Sequence, residues 1–198
     1  MLGPILKVIR VRHWIKNLFV FIPVFISGNI SNFELLLSSL IIFLAFSFTA
    51  SSIYIINDLA DLKRDQAHPI KKFRPLPSGN LSLFSALICV AILILGTLFT
   101  LSLVNFMGWQ VILIYFFINI AYSFYIKHIA ILDIVSISSG FVLRVQAGLA
   151  VTELNGSFWL IALTFTLSML LAIGKRKGEF KNNTCKSRIT ITYYRQNS

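Results

Sequence analysis

The chain has 198 residues, of which 57% are hydrophobic and 13% are charged, and its mean hydropathy is +0.81. A soluble domain carries about 25% charged residues, so the composition excludes both an ordinary soluble globular protein and a disordered chain. The net charge of +11 would suit a nucleic-acid binder, but the positions of the charges indicate a membrane protein instead. The two cysteines, Cys89 and Cys185, provide neither a disulfide framework nor a metal knuckle.

Long apolar runs predict an all-α bundle that crosses a membrane about six times, since about 20 apolar residues are needed for each crossing. In chain order the predicted spans are residues 18–30, 35–56, 81–104, 109–126, 129–151 and 158–173. The first span is the weakest because it is short and contains Pro23. Trp14 and a snorkelling Lys16 extend it toward the N-terminus.

The positions of Lys and Arg predict the orientation of the bundle. Apart from Arg144, they fall before the first span, in the second and fourth connections, or after the sixth span. The positive-inside rule therefore predicts a multi-pass protein of the inner or plasma membrane, with both termini and the second connection in the cytoplasm. Anionic lipid is then the simplest partner for the positive charge, and no nucleic acid is needed.

Three of the seven acidic residues lie within eight positions directly after the second predicted span. Spacings of three and four place Asp58, Asp61 and Asp65 on one helical face if the helix continues, with Asn57 one turn from Asp61. Like charges on one face repel each other, and carboxylates at a helix C-terminus oppose its dipole. A hard cation would reverse both effects, so the pattern indicates Mg²⁺. Alternatively, the aspartates pair with the basic residues that surround them.

A basic loop punctuated by three prolines follows the acidic cluster and contains Lys71, Lys72 and Arg74. Prolines hold the preceding residues extended. A carboxylate–metal site beside this stiff loop predicts a clamp for a diphosphate group. Taken alone, the loop would be read only as a patch that sets membrane topology.

Polar side chains recur at helical spacing along three predicted spans, and two of the series continue just past the end of the span. The three series are Ser47, Ser51, Tyr54 and Asp58; Tyr115, Asn119 and Tyr122; and Thr164, Ser168 and Lys175. Together they predict a polar cavity that opens to the cytoplasm, although each series alone fits hydrogen bonds within or between helices.

Arg144 lies inside the fifth predicted span, where an arginine costs about 2.5–3.5 kcal/mol on insertion scales. It belongs to the series Ser136, Gly140, Arg144 and Gly148, and small residues at this spacing mark a closely packed helix face. We therefore expect Arg144 to point into the bundle. Asp133 lies ~16 Å away along the helix, so Arg144 needs another anion, either a substrate phosphate or a carboxylate of another helix.

These residues together resemble the UbiA-type prenyltransferase superfamily. The superfamily motif is Asn57-Asp58-x-x-Asp61-x-x-x-Asp65, followed by Arg74-Pro75-Leu76-Pro77-Ser78-Gly79. Three stretches are similar to the decaprenyl-phosphate phosphoribosyltransferase subgroup: Arg12-His13-Trp14-Ile15-Lys16-Asn17, Ala67-His68-Pro69-x-Lys71-x-x-Arg74-Pro75 and Ser139-Gly140-Phe141-Val142-Leu143-Arg144. The resemblance covers about residues 8–179.

The resemblance implies an Mg²⁺-dependent transfer of a phosphoribosyl group from 5-phosphoribosyl diphosphate to a polyprenyl phosphate, with release of pyrophosphate. Asp58, Asp61 and Asp65 would hold the metal, and the catalytic residues would be Asp58, Asp61 and Arg144. The substrate-binding residues implied are Asn57, Lys16, Lys71, Arg74, Tyr54, Tyr122 and Lys175. The lipid phosphate would attack the anomeric carbon, so no side-chain nucleophile is required.

The C-terminal part departs from the family pattern, in which nine spans and a second polar motif after the sixth are usual. Residues 174–179 look like the start of that motif, and residues 180–198 form a polar tail. We therefore expect an incomplete UbiA-like domain at residues 1–179, shortened by truncation or a frameshift, and an aberrant tail. Two alternatives stay open: prenyl transfer from a prenyl diphosphate to an aromatic acceptor, and a non-catalytic or transporter-like membrane subunit.

Overall fold

The computed structural model describes residues 2–126 and 129–181, and within these ranges the chain forms helices and loops. The α-helices are α1 (Leu2–Ile9), α2 (Ile22–Ile26), α3 (Phe33–Ala60), α4 (Leu62–Gln66), α5 (Leu83–Leu101), α6 (Phe106–Phe124), α7 (Ala130–Thr152) and α8 (Phe158–Lys181). Two 3₁₀ helices complete the set, Val11–Phe21 between α1 and α2, and Lys71–Phe73 between α4 and α5. The predicted all-α bundle is confirmed.

Five helices are long and apolar enough to cross a membrane, namely α3, α5, α6, α7 and α8. They correspond to the second through sixth predicted spans. The first predicted span, residues 18–30, is wrong as a single α-helix. The chain instead forms the 3₁₀ helix up to Phe21, and α2 begins there because Pro23 fits only the first turn of an α-helix. Gly28, with φ of +74°, then turns the chain toward α3.

Side-chain caps fix where three of the long helices begin. Oδ1 of Asn32 accepts the backbone N–H of Glu34 at the start of α3, at 3.0 Å. Ser82 and Asn105 accept N–H groups in the same way at the starts of α5 and α6. Each cap contributes about 0.5–2 kcal/mol. The caps set the register of the helices and so the positions of the polar residues at their other ends.

The central helix of the bundle is α3. In the most apolar 18-residue stretch of each helix, 61% is buried in α3, 22% in α5 and 17% in α8. Ile42 and Phe46 of α3 pack with α6 and α7, and Ile55 packs with α1, α5 and the loop that precedes α5. In contrast, α5 and α8 expose many large apolar side chains, as expected of helices that face lipid.

The small-residue face of α7 packs directly on the 3₁₀ helix Val11–Phe21. A Cβ atom added to Gly148 would overlap the carbonyl oxygen of Val20 and would lie 3.1 Å from Pro23. The close packing predicted for this face is therefore confirmed at Gly148.

Several sequence predictions fall outside the described residues: the basic connection at Lys127, Cys185, and the tail beyond Lys181. Among the described residues, α8 continues to Lys181 and so extends past residue 173, the predicted end of the sixth span.

We expect Gly148→Ala to lower the stability of the folded protein by about 1–3 kcal/mol, the usual effect of forcing an extra group into a packed site. Thermal unfolding in detergent, followed by tryptophan fluorescence, measures the change. Gly174→Ala is the matched control, since nothing lies within 4 Å of its Cβ position. A melting temperature unchanged by Gly148→Ala would contradict the close contact between α7 and the 3₁₀ helix.

Candidate functional site

Asp58 lies in the last turn of α3, where it is 3% exposed and held by two arginines. Nη2 of Arg10 donates to both carboxylate oxygens, at 2.6 and 2.9 Å, and Nη1 of Arg74 donates to Oδ1 at 3.1 Å. Arg10 has a φ of +57°, a conformation that costs a non-glycine residue about 1–3 kcal/mol. This strained turn between α1 and the 3₁₀ helix brings the Arg10 side chain to Asp58.

Asp65 on α4 is fully buried and shares Arg74 with Asp58. Nη1 of Arg74 donates to Oδ2 of Asp65 at 2.8 Å. Nζ of Lys71 lies 3.3 Å from Oδ1, but outside hydrogen-bonding geometry, so this buried oxygen accepts no hydrogen bond from the described residues. The basic loop therefore folds back onto the acidic cluster, and two buried carboxylates meet at one guanidinium group.

The backbone of the basic loop explains how Lys71 and Arg74 reach Asp65. Nδ1 of His68 accepts the backbone N–H groups of Ile70 and Lys71, at 3.2 and 3.3 Å, at the start of the short 3₁₀ helix. The N–H of Arg74 then donates to the carbonyl of Lys71 at 2.9 Å. This tight local turn directs both cations toward α4.

Asp61 lies at the junction of α3 and α4 and is half-buried. Its N–H donates to the carbonyl of Asn57 at 3.0 Å, and its carbonyl accepts the N–H of Asp65 at 2.9 Å, so helical hydrogen bonding continues across the junction. Even so, no three His, Cys, Asp or Glu side chains within residues 2–126 and 129–181 are arranged to hold a metal ion. Arginines instead contact both carboxylate oxygens of Asp58 and Oδ2 of Asp65.

The residues nevertheless suit a hard cation in their chemistry. Asp58 and Asp65 converge on a single positive group, and the orphaned Oδ1 of Asp65 is a buried acceptor without a hydrogen bond. Mg²⁺ prefers such carboxylate oxygens. The acidic pair is therefore compatible with a metal, provided that Arg10 and Arg74 move away from it.

A cavity of about 500 Å³ opens beside these ion pairs. Its charged or titratable lining residues are Lys7, Arg10, His13, Asp58, Lys71 and Arg74. Cations outnumber carboxylates in this lining, so the cavity suits a polyanion.

The N-terminal segment, which is Arg10 and the 3₁₀ helix Val11–Phe21, covers the polar series of α3. Nε1 of Trp14 donates to Oγ of Ser51 at 3.0 Å, and Nδ2 of Asn17 donates to Oγ of Ser47 at 2.9 Å. Three residues of a 3₁₀ helix rise about 6 Å, and so do four residues of an α-helix. The two helices can therefore pair turn by turn, which explains why these serines bind the N-terminal segment rather than line an open cavity.

Tyr54, a predicted substrate-binding residue, contacts the same segment. Its ring lies 4.7 Å from the guanidinium carbon of Arg10, and the His13 ring packs against it edge-on with centroids 5.5 Å apart. Tyr54 thus stabilises the side chain of Arg10, which pairs with Asp58, through a cation–π contact.

Arg144 points into the bundle, as predicted, and is 6% exposed. Its Nε donates to Oδ1 of Asn17 at 2.7 Å, its Nη1 to the carbonyl of Gly140 at 2.5 Å, and its Nη2 to the hydroxyl of Tyr115 at 3.1 Å. We expected a substrate phosphate or a carboxylate as its partner. Among the described residues its hydrogen-bond partners are all uncharged.

Lys16 and Lys175 complete a positively charged region around Arg144. Partial burial, followed by the charges of Lys175 and Arg144, lowers the pKa of Lys16 below its ordinary value. Burial and the charges of Lys16, Arg10 and Lys175 likewise lower the pKa of His13. The charges of Lys175 and Arg144 therefore both act on Lys16, and all three are predicted site residues.

Tyr122, also predicted to bind substrate, belongs to a cluster that joins α6, α7 and α8. Its hydroxyl donates to Oδ1 of Asp133 at 2.7 Å, and Nη2 of Arg176 lies 2.6 Å from Oδ2 of the same carboxylate. The ion pair joins α8 to α7 one residue from Lys175. Asp133 therefore pairs with Arg176 and not with Arg144, in agreement with the predicted separation along α7.

Sequence reasoning missed two residues of the site. In the sequence Arg10 counts only among the basic residues before the first predicted span, and Asn17 appears only as part of a motif. The spacing of three between Trp14, Asn17 and Val20 was the available signal, because it places all three on one face of a 3₁₀ helix.

Comparison with known proteins places this geometry among related sequences and structures. The UbiA prenyltransferase family profile matches residues 18–180. A decaprenyl-phosphate phosphoribosyltransferase of Mycolicibacterium smegmatis is 34% identical over 186 residues, which cover 89% of this chain and 57% of that protein. One from Corynebacterium glutamicum is 33% identical over 179 residues, which cover 88% and 54%. The chain thus spans about half the length of these curated relatives.

A solved structure has the same fold. A UbiA homolog from Archaeoglobus fulgidus, bound to GPP and Mg²⁺, superposes with a TM-score of 0.76 at 21% identity, over 90% of this chain and 64% of that one. The resemblance drawn from the sequence motifs is confirmed.

We expect Arg74→Ala to destabilise the protein by about 1–3 kcal/mol. This is less than the ~3–5 kcal/mol for breaking a fully buried ion pair, because the Arg74 side chain is 35% exposed. Thermal unfolding measures the effect. Arg64→Ala is the control, since Arg64 is an exposed arginine on α4. If both variants unfold at the same temperature, the shared ion pair is not important for the fold.

Proposed function

The chain belongs to the UbiA prenyltransferase family, and from this premise we propose that it carries part or all of the site for a phosphoribosyl transfer. In the proposed reaction, an oxygen of a polyprenyl phosphate attacks the anomeric carbon of 5-phosphoribosyl diphosphate. The bond from that carbon to the diphosphate oxygen breaks, and pyrophosphate leaves with the electron pair.

One observation carries the proposal: the two buried carboxylates Asp58 and Asp65 lie against Arg74, Arg10 and Lys71 beside a cavity. An acidic pair alone would suit a cation, and a basic loop alone would suit a phosphate. Their juxtaposition suits a diphosphate that carries a divalent ion. The relatives at 33–34% identity are named for phosphoribosyl transfer, which favours this donor over a prenyl diphosphate.

We assign Asp58, Asp61 and Asp65, assisted by Asn57, to hold Mg²⁺. The metal would supply charge neutralisation for the leaving diphosphate. Binding requires Arg10 and Arg74 to leave the carboxylates, which frees both guanidinium groups for phosphate oxygens.

The remaining residues orient the two substrates. Lys71 stays at the cavity with the two arginines, while Arg144, Lys16 and Lys175 attract the other phosphate groups. Tyr54 and Tyr122 hold Arg10 and Asp133 in place. Because the attacking group is already an anion, the protein acts by positioning and by offsetting charge, and no side chain is required as nucleophile.

The test supplies labelled 5-phosphoribosyl diphosphate and a polyprenyl phosphate to membranes that contain the chain. We expect label in the lipid fraction, matched by pyrophosphate release, and loss of both when Mg²⁺ is chelated. Asp58→Ala/Asp61→Ala should slow transfer at least ~100-fold. Glu34→Ala, an exposed change in the first turn of α3, should leave it unchanged.

The results that would overturn the proposal are distinct. Transfer that persists in the double variant would remove the metal assignment. Product formed only from a prenyl diphosphate and an aromatic acceptor, transport without chemistry, or no product from either donor would remove the phosphoribosyl transfer.

We also propose that the Asp58 end of the bundle faces the cytoplasm. The contact of Arg10 with Asp58, and the contacts of Lys71 and Arg74 with Asp65, bring the N-terminal basic residues and the basic loop to this end. Such segments remain preferentially on the cytoplasmic side.

Cysteine labelling tests this orientation in a Cys89→Ser/Cys185→Ser background. Ser78→Cys, in the basic loop, should react with a membrane-impermeant maleimide only after the cells are permeabilised. Ser157→Cys, exposed in the connection between α7 and α8, should react in intact cells. The opposite pattern would invert the proposed orientation.

A further inference from the structure

Asn17 is a buried residue whose two ends have fixed roles. It is 1% exposed and lies between Ser47 on α3 and Arg144 on α7. The hydroxyl of Ser47 donates to the carbonyl of Phe43 at 2.8 Å, so its oxygen is left as an acceptor. The amide group of Asn17 must therefore direct its NH₂ toward Ser47 and its carbonyl oxygen toward Arg144.

The hydrogen bond from Arg144 to Asn17 leaves the arginine charge uncompensated. The other two hydrogen-bond acceptors, the Gly140 carbonyl and the Tyr115 hydroxyl, are also neutral. The rings of Phe46, Tyr115 and Phe141 lie 5.0–5.6 Å from the guanidinium carbon. Within the described residues Arg144 forms no ion pair with a carboxylate, although a guanidinium is always charged.

The surrounding charges increase this excess. Lys16 and Lys175 have the same sign as Arg144, and each acts on the neighbouring cations. The carboxylates of Asp58 and Asp65 are already paired with Arg10, Arg74 and Lys71. An unpaired buried charge is costly. An aspartate at position 17 would remove that cost, because it has the same shape as asparagine and its carboxylate would accept the same hydrogen bond from Arg144.

We propose that Asn17 is a positioning residue that holds Arg144 by a neutral acceptor, so that the Arg144 charge remains available, with Lys16 and Lys175, to a phosphate group. The ligand class rests on the proposed function. Two phosphates share this chemistry, the headgroup of a polyprenyl phosphate and the phosphate groups of 5-phosphoribosyl diphosphate. A carboxylate at position 17 would satisfy Arg144 internally and remove the attraction.

The test is Asn17→Asp in the full chain, reconstituted in lipid nanodiscs. Binding of inorganic pyrophosphate, 5-phosphoribosyl diphosphate and a short polyprenyl phosphate is measured by calorimetry. We expect at least tenfold weaker binding of one substrate, and the substrate affected identifies the source of the phosphate. The melting temperature should stay the same or rise, because the new carboxylate pairs with Arg144 and the Ser47 hydroxyl can rotate to donate to it.

Matched variants separate positioning from a structural role. Asn29→Asp makes the same change in the loop after α2 and should not weaken binding. In an Arg144→Gln background, Asn17→Asp should have no further effect on affinity. Where turnover is measurable, KM for the affected substrate should rise more than kcat falls.

Wild-type affinity of Asn17→Asp for all three probes would overturn the inference, as would a wild-type chain that binds none of them. An equal loss for both substrates together with a lower melting temperature would assign Asn17 a structural role only. If the chain binds the phosphates but forms no product, the proposed function fails and the anion site stands.

Discussion

Two buried carboxylates, Asp58 and Asp65, can lie close together in this protein because the guanidinium group of Arg74 lies between them. Leaving either carboxylate unpaired in such a setting would cost several kcal/mol. Arg10 supplies the second cation for Asp58, at the expense of a left-handed backbone. The acidic end of α3, the basic loop and the N-terminal segment are thereby joined, and the cavity exists because these three segments meet.

A match in rise along the two helix axes extends this arrangement from the Asp58 end of the bundle into its interior. The 3₁₀ helix advances about 6 Å in three residues, which equals four residues of α3. Trp14 and Asn17 therefore meet Ser51 and Ser47 in order, while Arg10 reaches Asp58. Asn17 also accepts a hydrogen bond from Arg144 of α7. The 3₁₀ helix therefore contacts both the acidic end of α3 and the buried arginine.

The elements that the sequence predicted depend on local pattern, and those that it did not depend on distant contacts. Run length located α3, α5, α6, α7 and α8, and the cost of a charge in lipid placed Arg144 inside the bundle. The Arg10–Asp58 pair joins residues 48 positions apart, and the Asn17–Arg144 hydrogen bond joins residues 127 apart. Composition contains no trace of such pairings. The first predicted span was wrong as a single α-helix because the length of an apolar run does not distinguish an α-helix from the 3₁₀ helix Val11–Phe21, whose contacts follow a period of three.

The contact of Gly148 with Val20 bears on the order in which the bundle assembles. The 3₁₀ helix leaves the ribosome before α3 and α7, the two long helices that it packs against, and α3 follows shortly after it. Two residues of α7 contact this helix: Gly148 packs on Val20, and Arg144 donates to the side-chain carbonyl of Asn17. Both are synthesised more than a hundred residues later. Closing so long a loop is slow compared with local helix formation. The 3₁₀ helix, although it is made before α3 and α7, is therefore among the last segments to reach its final packing, and its docking completes the packing of the helices inserted after it.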